Sequence, residues 1–532
     1  MVQVSIAILA LVQFLLAFAL SPPSLAQEWA LRKPRGTLTI VDLLNPASSV
    51  MENYAESLVA LDKDNNWVPG LAKDWRWLDD RTIEFKLRAD VWFHNGEKFN
   101  AETVRVNWGH YRKMASPTWF RFMGLRDETL LEVIDDYTVR FIFPEPDSLA
   151  FVKLRFSLHM APAFFADHEF EEPHWGYLPE PGPWGTGPFK LVEGNARPAG
   201  PSDRAVLEAY EDYWDPRYPK VKRVIFDNTL LADRKEAMRL CRETEGKVDI
   251  VTHIRPLDTL KVAESPFAKV VKSRDVTLLV GMLNQRKWDS KWRDIRVRKA
   301  LNYAINREEL WKYAAKGNAY NLEGLIIPPR AFGHNPNLTP YTYDTTKARA
   351  SLAEAGYADG FEVKIITYEA WKLEAQIMSK MLEREGLRVT LDVLAYPEWL
   401  RKVYHPLLDK PPEEQDWDIS ISIYYDWYGQ TNASFLNWGY IEESDMRWID
   451  YDPVFEEMWK DMARTVDPEA LGKKVRQVVA YAYDRAYQIF IYSPISLYAV
   501  NKEVNFVPQK YQLLSLKETS VTDSHWSIRE ED

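Results

Sequence analysis

The clearest alternation of apolar and polar positions along the chain lies at residues 82–88. Ile83, Phe85 and Leu87 are apolar, and the residues between them are polar. A period of two predicts a strand with one buried face. The preceding stretch, 68–75, we interpret as a helical turn.

A tight turn and a helix start are predicted after this strand. Asn95 and Gly96 both tolerate positive φ, which favours a hairpin turn. Asn100 is a suitable N-cap for a helix that begins at Ala101. Glu102 would then face the positive end of the helix dipole.

A strand–helix–strand pattern occupies the second half of the chain. Two alternating stretches, 361–365 and 387–393, flank a helical pattern at 373–385. This connection predicts parallel strands joined by a right-handed crossover. A third strand is predicted at 417–423. The apolar face of the helix is expected to contain Leu373, Ile377 and Met381.

Polar-tipped aromatic residues follow these three strands. In open α/β sheets, ligands bind beyond the carboxyl ends of the strands. The residues at these ends are Tyr368, Tyr396, Tyr424, Tyr425, Asp426, Trp427 and Tyr428. Because each Tyr hydroxyl and Trp N–H needs a partner when buried, the run 424–428 is hard to bury as a whole. We therefore predict a ligand site here; the alternative is an aromatic-rich edge of the core.

Further strands and helices complete a mixed α/β pattern. The further predicted strands are 37–41, 137–143, 206–209 and 221–226, and residues 276–283 form an apolar run. Helices are predicted at 233–243 and within 294–313. Asn306 and Glu309 form a capping-box pattern for the next helix in the second stretch. The only cysteine, Cys241, lies within the first of these helices, where we interpret it as a small buried apolar residue.

The N-terminal residues resemble a secretory leader. Residues 6–20 are apolar except for Gln13. This run is shorter than the about 20 residues that a membrane helix needs. Ser21-Pro22-Pro23 then breaks the helix, and Ser24-Leu25-Ala26 is a small-x-small cleavage site. We predict a signal peptide at 1–26. A signal peptide usually begins with a positively charged region, but no Lys or Arg precedes Arg32. The alternatives are therefore a mis-assigned start of the chain or an anchor that is not cleaved.

The composition excludes some functions. The chain has 532 residues and a formal net charge of −11, from 67 Lys and Arg against 78 Asp and Glu. A mildly acidic chain without a basic run argues against binding to nucleic acid. The residue directly after the predicted leader is Gln27 and not a cysteine, so we do not expect a lipid-anchored protein.

Several motifs together resemble the bacterial extracellular solute-binding proteins of family 5, the dipeptide-, oligopeptide- and nickel-binding proteins that serve ABC importers. The matching stretches are 54–62, 68–75, 82–96, 101–104, 185–191, 296–307 and 343–361. Ser57 replaces a glycine of the family pattern, and Thr103 replaces an aspartate. In the family, the residues that correspond to 54–104 build the fold and do not contact the ligand.

The resemblance implies a two-lobed α/β clamshell of the class II periplasmic-binding type, with mixed sheets flanked by helices. The first lobe would comprise 27–64, 184–283 and 496–532, and residues 65–183 would form an extra domain packed on it. The second lobe would comprise 284–495. The family carries a Leu-Asn pair where the chain crosses between the lobes, which implies that Asn284 lies beside the ligand.

The resemblance also bears on the ligand. In peptide-binding members, an aspartate in the loop before Ser-Phe-Leu pairs with the α-amine of the peptide. Two alignments place Tyr428 or Gln430 at this position, and neither is a carboxylate. Asp426 is the only nearby carboxylate. A buried ammonium without a counter-charge is costly, so we expect weak binding of simple di- and tripeptides.

Other kinds of chemistry are less well supported by the residues. His168 and His174 flank acidic residues, but their spacing fits no helical metal-ligand pair, so we expect no metal site. A secreted carbohydrate-active enzyme is the alternative function, although no distinctive carboxylate arrangement or catalytic motif is present. We expect a non-enzymatic, monomeric periplasmic protein without a cofactor. Its partners would be a small solute (a peptide, an amino-acid conjugate or a sugar) and the permease of an ABC importer.

Overall fold

A computed structural model describes most of the chain after the predicted leader. The described residues are 33–43, 46–113, 129–155, 157–168, 178–197, 201–274, 277–320, 332–404, 407–424, 440–442, 447–511 and 513–530. The predicted leader and the predicted site residues Tyr425, Asp426, Trp427 and Tyr428 lie outside these ranges.

The strands give the fold its framework. In chain order they are β1 Thr37–Val41, β2 Val59–Leu61, β3 Trp67–Pro69, β4 Ala72–Trp77, β5 Thr82–Leu87, β6 Leu130–Asp135, β7 Thr138–Ile142, β8 Phe189–Glu193, β9 Arg204–Ala209, β10 Arg223–Asp227, β11 Ile250–Val251, β12 Ala268–Ser273, β13 Leu278–Leu283, β14 Ala319–Tyr320, β15 Glu362–Tyr368, β16 Arg388–Leu394, β17 Ile419–Tyr424, β18 Gln488–Pro494, β19 Ser496–Asn501, β20 Val504–Asn505 and β21 Ser520–Val521.

The helices flank these strands. They are α1 Pro46–Tyr54, α2 Ala101–Lys113, α3 Ala150–Arg155, α4 Phe164–Asp167, α5 Arg234–Glu243, α6 Thr259–Ala263, α7 Ile295–Ala304, α8 Arg307–Tyr313, α9 Thr345–Glu354, α10 Lys372–Arg384, α11 Tyr396–Val403, α12 Pro453–Ala463, α13 Pro468–Asp484 and α14 Trp526–Arg529.

Three larger sheets organise the described chain. A seven-stranded sheet has the order β12-β19-β11-β1-β10-β9-β8, and a six-stranded sheet has the order β14-β18-β13-β17-β15-β16. A four-stranded sheet, β4-β5-β7-β6, is formed by the chain between α1 and β8. The chain passes from the seven-stranded to the six-stranded sheet between Ser273 and Leu278, and returns between Pro494 and Ser496.

Sheet membership differs from the predicted lobe limits at one strand. The limit at 283/284 would assign β13 to the first lobe, whereas β13 pairs with β17 and β18 inside the six-stranded sheet. The apolar run 276–283 therefore forms a strand from Leu278 to Leu283, which lies on the other side of the crossing. The predicted limits of the lobes otherwise stay a prediction.

Most of the elements predicted from periodicity are confirmed. The alternating stretch 82–88 forms β5, and α2 begins at Ala101 with the side-chain oxygen of Asn100 accepting from the backbone N–H of Thr103 at 3.0 Å. Asn306 is the predicted N-cap of α8, since its side-chain oxygen accepts from the Glu309 N–H at 3.2 Å. Its side-chain amide, not its backbone N–H, donates to the Glu309 carboxylate at 3.3 Å.

Two local predictions are wrong. Residues 68–75 do not form a helical turn, because this stretch contributes to β3 and β4, and β4 pairs with β5. Trp75 of β4 packs its ring against Phe151 of α3, a contact that propensity alone does not reveal.

The predicted buried face of α10 is wrong at its first residue. Leu373 is exposed, whereas Met381 is buried and Ile377 is half-buried as predicted. Ala375, Met378 and Leu382 are buried as well. The pattern misled because it did not anticipate a buried carboxyl group in the first turn. The hydroxyl of Tyr492 donates to Glu374 at 2.7 Å, and burial raises the pKa of Glu374.

His94, a buried histidine, links the four-stranded sheet region to the segment just before β8. The Nε2 of His94 lies 2.9 Å from the carbonyl oxygen of Gly187, and the backbone N–H of His94 donates to Gly185 at 2.8 Å. Both glycines approach α1 closely: a Cβ at Gly185 would lie 2.1 Å from the carbonyl oxygen of Tyr54. The glycines of this motif are thus required by a close contact between backbones.

Burial lowers the pKa of His94 to about 3. Its Nε2–H donates to Gly187, and its Nδ1 has no hydrogen-bond partner among the described residues, so protonation would place an unpaired charge in the interior. The neutral ring is therefore the form that the fold accommodates.

This histidine should make stability depend on pH. Between the folded pKa of about 3 and the ordinary value of 6.5, unfolding takes up a proton, so the free energy of unfolding falls as the pH falls through this window. The slope from one such group is at most about 1.4 kcal/mol per pH unit. Urea unfolding at pH 4.5 and 6.5 should show a smaller difference for His94→Gln than for the wild type. Equal differences would contradict this assignment.

Candidate functional site

Three strand ends meet at one edge of the six-stranded sheet. β15 and β16 are parallel, with Tyr368 opposite Leu394, and β15 is parallel to β17, with Ile365 opposite Ile419. The predicted parallel pair and the predicted third strand are therefore confirmed. Because the carboxyl ends of the three strands point the same way, the residues that follow them gather at one edge.

Three aromatic rings lie in contact at this edge. The ring centroids of Tyr368 and Tyr396 are 5.1 Å apart, and that of Trp399 lies 5.0 Å from Tyr368. Tyr396 and Trp399 stack with an interplanar angle of 15°. These three residues, which we call the edge aromatic cluster, place a broad apolar face beside polar tips.

Hydrogen bonds fix the cluster from behind. The indole Nε1 of Trp399 donates to the hydroxyl oxygen of Ser420 on β17 at 3.0 Å, and both groups are buried. The indole of Trp371 donates to the hydroxyl oxygen of Tyr368, also at 3.0 Å. The rings of Tyr368 and Trp399 are thus held to the sheet and to the start of α10.

Tyr396 is the accessible member of the cluster. Half of its surface, 51%, is exposed, and it is the first residue of α11. Partial desolvation raises its pKa to about 12, with a smaller contribution from Tyr368. The phenol is therefore neutral at physiological pH and can donate a hydrogen bond or stack on a flat group.

Tyr424 lies near this edge but points into the core. It is buried, and the amide nitrogen of Gln488 lies 3.2 Å from its hydroxyl and 2.6 Å from that of Tyr440. Burial raises the pKa of Tyr424 well above its usual value. In this arrangement Tyr424 supports the end of β17 and does not present its hydroxyl to solvent.

Asn284 lies at the opposite edge of the same sheet. β13 runs antiparallel to β17, so Asn284 follows the end of β13 that is level with Ile419. Asn284 is fully buried, and its side-chain oxygen accepts from the backbone N–H of Lys287 at 3.0 Å. The structure therefore does not bring Asn284 together with the edge aromatic cluster, and the argument from the family's Leu-Asn pair did not anticipate this separation.

The sequence argument missed two members of this region. Trp399 is three residues after Tyr396, so both share a helix face, and this spacing was a usable signal. Trp371 lies in a 3-10 turn, Glu369–Trp371, that follows β15 directly. Its contact with Tyr368 depends on that turn, and no periodicity in the sequence indicates it.

The other candidate chemistry finds no site within the described ranges. No group of three His, Cys, Asp or Glu side chains there could hold a metal ion. His168 stacks on Phe164 and lies 3.3 Å from Glu180, whereas His174 is outside the described residues. Cys241 is buried, and burial raises the pKa of its thiol. Among the described helices, none has the length and apolar character needed to cross a membrane.

Comparison with known proteins identifies the family. Residues 66–444 match the family described as bacterial extracellular solute-binding proteins, family 5 Middle. The chain belongs to this family. It is 26% identical over 360 residues to the dipeptide-binding protein of Escherichia coli (strain K12), a match that covers 62% of this chain and 64% of the relative.

A second relative is the glutathione-binding protein GsiB of Shigella flexneri serotype 5b (strain 8401). It is 28% identical over 326 residues, which cover 60% of this chain and 59% of the relative. The matching part therefore spans less than two thirds of either curated relative.

The two-lobed α/β fold is shared with solved structures of this group. The periplasmic binding protein DppA from Helicobacter pylori, in complex with the peptide STSA, superimposes with a TM-score of 0.75 at 19% identity. The superposition covers 94% of this chain and 100% of that protein. The predicted fold class and the resemblance to family 5 are thus confirmed.

The support of the edge aromatic cluster can be tested by mutation. Ser420→Ala should lower the free energy of unfolding by about 1–3 kcal/mol, because the buried N–H of Trp399 loses its acceptor. In a Trp399→Phe background there is no N–H to leave unpaired, so the same change should cost clearly less. Urea unfolding of the four proteins measures this difference. An equal cost in both backgrounds would show that the hydrogen bond does not contribute.

Proposed function

We propose that this protein is the solute-binding component of an ABC importer. It captures a peptide-like or other small polar solute between its two lobes and delivers it to the membrane permease. The match of residues 66–444 to family 5 carries this proposal. The alternative of a secreted carbohydrate-active enzyme gains no support from that match or from the relatives.

The edge aromatic cluster supplies one surface for the solute. Tyr396 offers an accessible ring that is backed by the buried ring of Trp399. A ring contact is worth about 0.5–1.5 kcal/mol beyond the area it buries. Two charged residues, Glu369 and Lys372, follow Tyr368 in the chain. Their side chains lie on the surface, 3.5 Å from each other. Both are well exposed, so this pair is a weak anchor for a charged ligand.

The chemistry of the solute follows from these features. The relatives bind a dipeptide and glutathione by name, which supports a peptide-like class. The family aspartate that pairs with a free α-amine is replaced by Tyr428 or Gln430, which argues against simple peptides. We therefore infer a conjugated amino acid, a modified peptide or a sugar derivative whose planar or ring-shaped part stacks on aromatic side chains. Tyr425, Asp426, Trp427 and Tyr428 remain proposed contributors to this site, whereas buried Tyr424 supports the end of β17 and Asn284 lies at the other end of the sheet.

The location and the partners complete the proposal. Export through a signal peptide cleaved after Ala26 would place the mature protein in the periplasm. There it would act as a monomer that meets the permease of its importer. It would need no cofactor, since capture and release require only a conformational change between the lobes.

The ligand class can be tested by calorimetry on the mature chain, 27–532. A panel of unmodified di- and tripeptides, glutathione, opine-type amino-acid conjugates and sugars should give binding for a conjugate or sugar and little for unmodified peptides. For whichever compound binds, Tyr396→Ala should weaken affinity by about 2- to 10-fold, the value of one aromatic contact.

Tyr313→Ala provides the matched control, because Tyr313 is exposed to a similar degree, 50%, on α8. It should leave the affinity unchanged. Micromolar binding of unmodified tripeptides that is unaffected by Asp426→Asn would contradict the argument from the missing aspartate. Absence of binding to every class, with cleavage of a glycan instead, would contradict the proposed function.

A further inference from the structure

The connectivity of the sheets makes one group of contacts informative. The chain enters the four-stranded sheet after α1 and β2 and leaves it toward β8, so both ends connect to the seven-stranded sheet region. The six-stranded sheet is joined to the seven-stranded sheet by the two crossings at 273–278 and 494–496. No segment of the chain therefore connects the four-stranded sheet region directly to the six-stranded sheet region, and the two can meet only through non-covalent contacts.

Such a contact exists between the segment before α3 and the end of α12. The Nε of Arg464 lies 2.7 Å from Oε2 of Glu145. Beside it, the backbone N–H of Ser148 donates to the carbonyl oxygen of Ala463 at 2.8 Å. Ala463 is the last residue of α12, where helix carbonyls lack partners within the helix, so the N–H of Ser148 supplies one.

Both sides of this contact are held firmly. The side-chain oxygen of Asp147 accepts from the N–H of Leu149 at 2.9 Å, and Asp147 also pairs with Lys153. At the end of α3, Arg155 pairs with Glu52 of α1 at 3.0 Å. The 145–148 segment is thus anchored to the seven-stranded sheet region.

On the other side of the contact, α12 packs against α13. Within this pair of helices, Lys474 lies 2.8 Å from Asp461. The two regions therefore meet at Glu145–Arg464 and Ser148–Ala463, and their buried apolar residues belong to one continuous cluster. If the six-stranded region rotates away about the two crossings, the Glu145–Arg464 and Ser148–Ala463 contacts must break.

We propose that the pairs Glu145–Arg464 and Ser148–Ala463 form a latch that favours the arrangement in which the two regions touch, and we assign this arrangement to the closed state. The inference rests on the proposed function, in which the two lobes close around a solute. The side chains of Arg464 and Glu145 are 50% and 31% exposed. An ion pair of this exposure shifts an equilibrium by roughly 1.5- to 5-fold, and salt screens it. The latch is therefore weak enough to open when the solute must leave.

The test measures the distance between the two regions in protein to which no solute is added. Spin labels are attached at Glu132→Cys on β6 and Glu308→Cys on α8, both exposed positions. The native Cys241 is buried and is not expected to be labelled. Pulsed electron paramagnetic resonance then gives the share of molecules at the short, closed distance.

Arg464→Glu and Glu145→Arg should each lower the ratio of closed to open molecules by about 2- to 5-fold or more, because each places like charges together. The double reversal, Glu145→Arg with Arg464→Glu, should restore the ratio. High salt should reduce the differences between the variants. Lys474→Glu is the control, since it breaks an ion pair of comparable length within one region and should leave the ratio unchanged.

An unchanged ratio of closed to open molecules in both single reversals would overturn the latch. A double reversal that lowers this ratio by the combined effect of the two single reversals would overturn it too. These outcomes are independent of the proposed function. A restored ratio in a protein that binds no compound of the panel would retain the latch and refute solute capture. Solute binding without any effect of the reversals would refute the latch and retain solute capture.

Discussion

The described chain passes between its two larger sheets at two short crossings, and much of the account depends on this constraint. One crossing runs from Ser273 to Leu278 and the other from Pro494 to Ser496. Beside them, the Nζ of Lys272 donates to the side-chain oxygen of Asn318 at 2.8 Å, and the N–H of Ile495 donates to the backbone oxygen of Asn318 at 3.0 Å. Such short crossings can act as hinges that permit rotation of one region against the other.

The same topology sets the position of the edge aromatic cluster. Since β15, β16 and β17 are parallel, their carboxyl ends share an edge, and the turn or helix that follows each strand starts there. Tyr396 is exposed because it begins α11, whereas Trp399, one turn later, is buried against Ser420. One face of a short helix thus provides both the accessible ring and the ring that supports it. Rings fixed in this way lose little conformational freedom when they bind.

Local patterns in the sequence were sufficient for much of the fold. The alternation around Phe85, the cap at Asn100 and the strand–helix–strand unit depend on neighbours within one element or on a general rule of handedness. Predictions failed where a distant residue decides the outcome. Trp75 lies in a strand because β4 pairs with β5, and buried Glu374 has its partner in the distant hydroxyl of Tyr492.

The site was predictable only in part for the same reason. The sequence identified Tyr368 and Tyr396 at the strand ends, but the stacking of Trp399 and the burial of Tyr424 depend on how α11 and Gln488 pack. Asn284 was assigned to the site through a family motif, and the antiparallel direction of β13 places it at the other edge. Motifs locate a residue along the chain, whereas strand direction decides which edge of the sheet it reaches.

Small-angle X-ray scattering tests the central claim, closure of two regions around a captured solute, most directly. Mature protein is first purified without denaturation, so that bound small molecules stay with it. It is then unfolded, the released small molecules are collected as an extract, and the protein is refolded. Scattering is measured before and after this extract is added back. The account predicts a smaller radius of gyration after the extract is added, because the solute makes more contacts in the closed arrangement. An identical radius of gyration at every concentration of extract would contradict it.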